Sequence, residues 1–186
     1  MQNSVIEMIS KRRSTREFTL RQLDDEYLEM IMEAGSSAPY AGDQICTIVA
    51  IQNLSLIERI NTEAKKAAIG LGIEHLKALG CDESFSGSYN APTVIFVCGK
   101  ENAVAPQLDC AAITQNMLIA AESLKLGACW VHFPIFAFYS TADVHLCEEL
   151  KIPTGYKPYT CIALGYRNEE KHVETERDYA THIIIK

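Results

Sequence analysis

Apolar residues along the chain follow two patterns that alternate: recurrence every three or four positions, and short unbroken β-branched runs. Ser4-Val-Ile-Glu7 has capping-box spacing, and Val5, Ile6, Met8 and Ile9 follow at helical intervals, which predicts a first helix over 4–12. A second helix starts near Asp24, buries Leu28, Ile31 and Met32, and stops around Gly35. The turn formers of 36–44 separate it from Cys46–Ile51, a run of strand length. Ser55-Leu-Ile-Glu58 repeats the capping-box pattern and opens a helix through Ile69. Residues 70–90, which contain Gly70, Gly72, Gly80 and Gly87, read as a mobile, partly helical connection.

Beyond it, Thr93–Cys98 reads as a buried strand. Residues 107–126 form the longest helix, apolar nearly all round, so it belongs in a core or a subunit interface. Ala128–His132 is a strand, followed by the aromatic segment Phe133–Tyr139, a helix near 141–150 and the strand Tyr159–Leu164. Strands separated by helices place the chain in the α/β or α+β class, with a mixed sheet between helices. The chain finishes Ile183-Ile184-Ile185-Lys186. Three consecutive isoleucines need burial, and a strand added to a sheet edge, in the same subunit or a partner, supplies it.

Composition narrows the class. A chain of 186 residues, 48% hydrophobic and 22% charged, suits one soluble domain spanning 1–186. No apolar stretch has membrane-spanning length and the first residues lack a secretory cleavage pattern, so the expected location is cytoplasmic. The net charge of -7 argues against nucleic-acid binding. Seven cysteines without a C-x-x-C pair speak against a disulfide framework, and no histidine has ligand spacing with a carboxylate or thiol, so no metal site is expected.

Against this acidic background, Lys11, Arg12, Arg13, Arg16 and Arg21 are crowded into one short segment. Concentrated positive charge repels itself and is relieved by an anion. Three arginines around Ser14 match a phosphate dianion, because guanidinium forks pair with phosphate oxygens. A phosphorylated cofactor is the expected ligand, with a solvated basic turn as the alternative.

Several segments then align with one family. Arg12-Arg13-Ser14-Thr15-Arg16-Glu17-Phe18 resembles the R-R-S-x-R-x-F phosphate motif of the small FMN-dependent nitroreductases. Ala38-Pro39-Tyr40-Ala41-Gly42-Asp43 is similar to their A-P-S-A-G-N loop, and Asn90-Ala91-Pro92 to the segment before a central strand. Asp109 to Trp130 resembles the central helix and G-L-G-x-C-W turn, and Ile152-Pro153-Thr-Gly155-Tyr156-Lys-Pro158 to Tyr166 the final signature. The resemblance implies an α+β (α/β/α) fold in an intertwined homodimer with two FMN groups at its interface. It also implies the strand 179–185 added to the partner's sheet edge, NADH or NADPH as reductant, and a small-molecule electron acceptor such as a nitroarene or quinone.

Carried onto this chain, the resemblance assigns Arg12, Arg13, Ser14 and Arg16 to the phosphate and ribityl chain. Pro39, Tyr40, Ala41 and Asp43 line the ring, and Trp130 and Val131 lie by the reactive edge. Gln115 and Asn116 are either polar contacts or helix amides satisfied by backbone, and Arg177 is either a further phosphate ligand or a surface ion pair. Asp43 stands where the family has Asn, and a carboxylate accepts where an amide can donate. Ile45 replaces a usual Gln. His132 replaces a glycine that would allow close approach to the reactive flavin edge. It either addresses substrate and flavin, as a catalytic residue, or packs elsewhere. The aromatic segment 133–139 either walls the pocket or plugs the interface. These departures leave a second reading open: a flavin store or redox sensor with little reductase turnover.

Overall fold

A computed structural model describes residues 3–42, 46–139, 143–168 and 182–185. Helix α1 spans Ser4–Lys11, α2 Asp25–Ser36, α3 Leu54–Gly70, α4 Glu74–Cys81, α5 Pro106–Ser123 and α6 Asp143–Glu149. Strand β1 spans Cys46–Ile51, β2 Thr93–Lys100, β3 Gly127–Val131 and β4 Tyr156–Gly165, and Phe133–Tyr139 is a 3-10 helix.

Helix starts follow local hydrogen bonding. Asn3 rather than Ser4 caps α1, its Oδ1 accepting from the amides of Val5 and Ile6 at 3.0 and 3.2 Å. Asn53 rather than Ser55 caps α3, accepting from the Leu56 amide at 3.1 Å and the Ser55 hydroxyl at 2.6 Å. In both cases an asparagine just upstream reaches the free amides first, and the serine lies inside the first turn. The glycine-bearing connection 70–90 contains α4, which packs on α3.

The sheet runs β1-β2-β4-β3, with every neighbouring pair antiparallel. The mixed sheet expected from the sequence therefore takes an antiparallel form. Among the described residues its parallel component is an isolated bridge between Ser14 and Ala128. Alternation along β2 divides the core. Val94, Phe96 and Cys98 face α3 and the 3-10 helix, whereas Ile95 and Val97 face α2 and α5. Burial on both faces explains why β2 reads as an unbroken apolar run. Helix α5 is held to α2 by the Asn116 amide, which donates to the Ala34 carbonyl at 3.1 Å, and to β4 by the buried hydroxyl pair Thr114–Thr160 at 2.6 Å.

Ile183, Ile184 and Ile185 are exposed and belong to no strand of this chain. No described helix is long and apolar enough to cross a membrane.

Candidate functional site

Strand β3 is an outer strand of the sheet, and the basic segment lies against its free edge. The amide of Thr15 donates to the Ala128 carbonyl at 3.0 Å, within the Ser14–Ala128 bridge. Thr15 is fully buried there because Gly127 leaves room: a Cβ at 127 would stand 2.7 Å from Thr15 Cγ2 and 3.0 Å from Arg167 Cγ. Arg167 is fixed beside it, bonded to the largely buried Glu122 carboxylate and to the Leu126 carbonyl at 3.0 Å.

In this extended path alternate residues face opposite ways. Ser14 hydrogen-bonds the Cys129 thiol, and the charges of Arg16 and Arg12 favour its ionised form. Burial outweighs them and keeps the Cys129 pKa above the ordinary thiol value, so the group stays protonated. Arg13 turns away, its Nη1 donating to the carbonyls of Ser10 at 2.6 Å and Arg12 at 3.1 Å, where it closes the end of α1. Two arginines and a hydroxyl thus act on a neutral thiol, and such a donor set fits a phosphate oxygen cluster.

Arg16 also forms one end of a cleft of 490 Å³. Its Nε donates to the Tyr89 hydroxyl at 3.3 Å, which raises the guanidinium pKa still further and leaves it permanently cationic. Tyr89 and Asn90 both adopt left-handed backbone, φ 54°, a conformation rare for a tyrosine. The turn is held by the Tyr89 amide on the Ser86 carbonyl at 3.0 Å and the Asn90 amide on the Ser86 hydroxyl at 3.1 Å. Strain at this point aims the phenol at Arg16.

Trp130, Val131 and His132 continue the wall along β3 and past its end, and His75, Leu76 and Leu79 of α4 face them. Phe133 packs edge-on against Phe85 with centroids 4.8 Å apart, and Gly87 permits it, since a Cβ there would meet Phe133 Cδ1 at 2.6 Å. The aromatic segment both walls and plugs: Phe133 and Phe136 line the cleft, whereas Phe138 packs on Phe96 in the core. His132 is exposed, in edge contact with Phe136.

The structure therefore brings together Arg16, Trp130, Val131 and His132 around the cleft, with Ser14 and Arg12 acting on Cys129 beside it. Pro39, Tyr40 and Ala41 do not line this cleft. They form an exposed loop anchored where the Ala41 amide donates to Asp109 Oδ1 at 3.1 Å. Gln115 is exposed on α5, also outside the cleft. Asp43, with Gln44 and Ile45, and Arg177 lie outside the described residues. His75, Phe85 and Tyr89 are cleft residues that sequence reasoning missed, because they belong to the segment read as a connection. The turn formers Ser86-Gly87-Ser88 ahead of Tyr89-Asn90 were the available signal. Among the described residues no cluster of metal-ligating side chains occurs.

The nitroreductase family model matches residues 9–166. A protein of Archaeoglobus fulgidus, provisionally named an NADH dehydrogenase/NAD(P)H nitroreductase, is 27% identical over 182 residues, covering 89% of this chain and 87% of its own. A nitroreductase crystallised with bound FMN from Bacteroides fragilis is 30% identical, with a TM-score of 0.93 and 99% of both chains covered. Another with bound FMN, from Desulfitobacterium hafniense, shares the fold at 24% identity and a TM-score of 0.83, covering 95% of this chain and 100% of its own. The chain belongs to the nitroreductase family.

Proposed function

We propose that this nitroreductase-family chain is an FMN-dependent oxidoreductase that uses NADH or NADPH to reduce a small flat acceptor such as a nitroarene or quinone. The observation that carries the reading is the placing of Arg16 with Cys129, Trp130, Val131 and His132 around one cleft, with Ser14 hydrogen-bonded to the Cys129 thiol. Arg12, Ser14 and Arg16 would bind the phosphate, with charge-assisted bonds supplied by guanidiniums that do not titrate. Cys129, held as a thiol, adds no negative charge beside them. FMN bound there supplies the hydride-transfer chemistry, so no nucleophile of the chain is required.

Trp130 and Val131 form the wall beside the ring and His132 offers an imidazole toward the acceptor. The aromatic and aliphatic lining excludes water and favours flat, conjugated molecules. The roles of Asp43 and Arg177, and the effect of Ile45 in place of the family's Gln, stand as expectations from the resemblance.

A second copy completes the reading. The cleft and the loop 39–41 are separate surfaces of one chain, and a homodimer would join one from each subunit. Its support is the exposure of Val5 and Ile6 on α1, Leu108 on α5 and Ile183–Ile185 at the tail, apolar groups that a partner would cover. The strand proposed at 179–185 would add to the partner's sheet edge.

Anaerobic mixing of the flavin-loaded protein with NADH or NADPH tests the proposal. Bleaching of the flavin band, and its return on adding a quinone, is expected. An unbleached spectrum with both donors would instead favour a flavin store or sensor.

A further inference from the structure

We propose that the end of the cleft formed by α4 and the turn after β3 is a subsite for the carboxylate of an aromatic acceptor, gripped by His75 and His132. This inference rests on the oxidoreductase reading for its reaction but not for its binding. The chain as a whole is acidic, with a net charge of -7, yet among the described residues no carboxylate lines the cleft. Its basic side chains are Arg16, His75 and His132, beside the Tyr89 hydroxyl, the Trp130 indole and the protonated Cys129 thiol. Arg16 is turned toward Tyr89 and belongs to the phosphate group. The two imidazoles are additional to what the cofactor requires.

Both histidines are exposed, and neither imidazole has a hydrogen-bond or ion-pair partner among the described residues. Each rises from a fixed element, His75 from the first turn of α4 and His132 from the residue between β3 and the 3-10 helix. Around them stand Leu76, Leu79, Phe85, Phe133 and Phe136. An imidazole N–H donates whether the ring is neutral or protonated, and adds positive charge when protonated. Two such donors in a largely apolar recess, without a carboxylate among the described residues, match a flat ring that bears one acidic oxygen pair. A neutral ring would use the walls and leave the donors idle.

The test compares 4-nitrobenzoate with 4-nitrobenzamide, which share a ring and nitro group but differ in charge. Isothermal titration calorimetry on the flavin-loaded protein reads affinity, and NADH-driven turnover reads kcat/KM. Wild-type protein is expected to bind the carboxylate ~10-fold more tightly than the amide, the size of one charge-assisted contact. His75→Leu, and independently His132→Gln, should each shrink that ratio several-fold. Equal affinity for the two ligands in wild type, or an unchanged ratio in both variants with unaltered melting temperatures, overturns the subsite. A carboxylate preference without NADH-driven reduction would support the subsite and sink the oxidoreductase reading. Efficient reduction of both compounds without discrimination would do the reverse.

Discussion

Two hollows of comparable size differ in almost everything else. One, of 670 Å³, lies between α1, α2 and α5 and is lined by Val5, Met8, Ile119 and Ala120 with a few small polar groups. The other is the 490 Å³ cleft that carries Arg16, His75 and His132. The larger offers shape and apolar area; its one amide, Asn116, is already bonded to Ala34. The smaller offers donors without partners and a fixed positive charge. Volume therefore marks where another surface can be covered, and unspent polar chemistry marks where a small anionic ligand can be held.

The largest effect should come from charging the apolar hollow. Ile119→Asp would place an unpaired carboxylate under a partner subunit and weaken self-association by more than ~100-fold, read by analytical ultracentrifugation. An unaltered dimer would remove the groove from the interface. In the cleft, Arg16→Ala should weaken FMN binding by ~10–100-fold, the worth of a lost charged hydrogen bond, while the melting temperature of the apoprotein holds. Full retention of stoichiometric yellow colour would release Arg16 from the phosphate.

Gly127→Ala would affect the cleft through the fold. The added Cβ meets Thr15, a short side chain with nowhere to swing, so the basic segment must lift from the β3 edge. A loss of ~1–3 kcal/mol in stability, measured by urea unfolding, should accompany weaker FMN binding. Stability lost without any change in FMN affinity would separate the segment's seating from its function. The smallest perturbation is chemical. Burial raises the pKa of Cys98, Cys110, Cys129 and Cys161, so their thiolate fractions at neutral pH are suppressed and grow only at strongly alkaline pH. Exposed Cys81 should react with a thiol reagent first, and these four only on unfolding. Rapid labelling of Cys129 in the native protein would show that the floor of the site is open.

Much of the fold was legible because its cause is local. The β-branched run Thr93–Cys98 could hardly be other than a strand buried on both faces, and the apolar belt of α5 announced a central helix. Helix starts were placed near the right residues but given to the wrong caps, since asparagines at 3 and 53 outcompete the serines that follow. The basic segment was recognisable by charge, yet its division was not. That division follows from an extended backbone, which puts Arg12, Ser14 and Arg16 on one side and sends Arg13 back to α1. A reading as a basic turn cannot supply it. His75 and Tyr89 were invisible for a different reason: their partners across the cleft, at Arg16 and around His132, are distant in sequence, and no local period encodes such contacts. Arg167 was likewise missed, because its role depends on Glu122 and the space beside Gly127.

The central claim is that this segment grips a phosphate, and titrating the apoprotein with FMN and with riboflavin tests it most directly. The two ligands share the ring and differ in the phosphate alone. The account predicts that FMN binds ~100-fold or more tightly than riboflavin, the sum of two charge-assisted contacts, and that Arg16→Ala closes most of that gap. Equal affinities for the two flavins would contradict it.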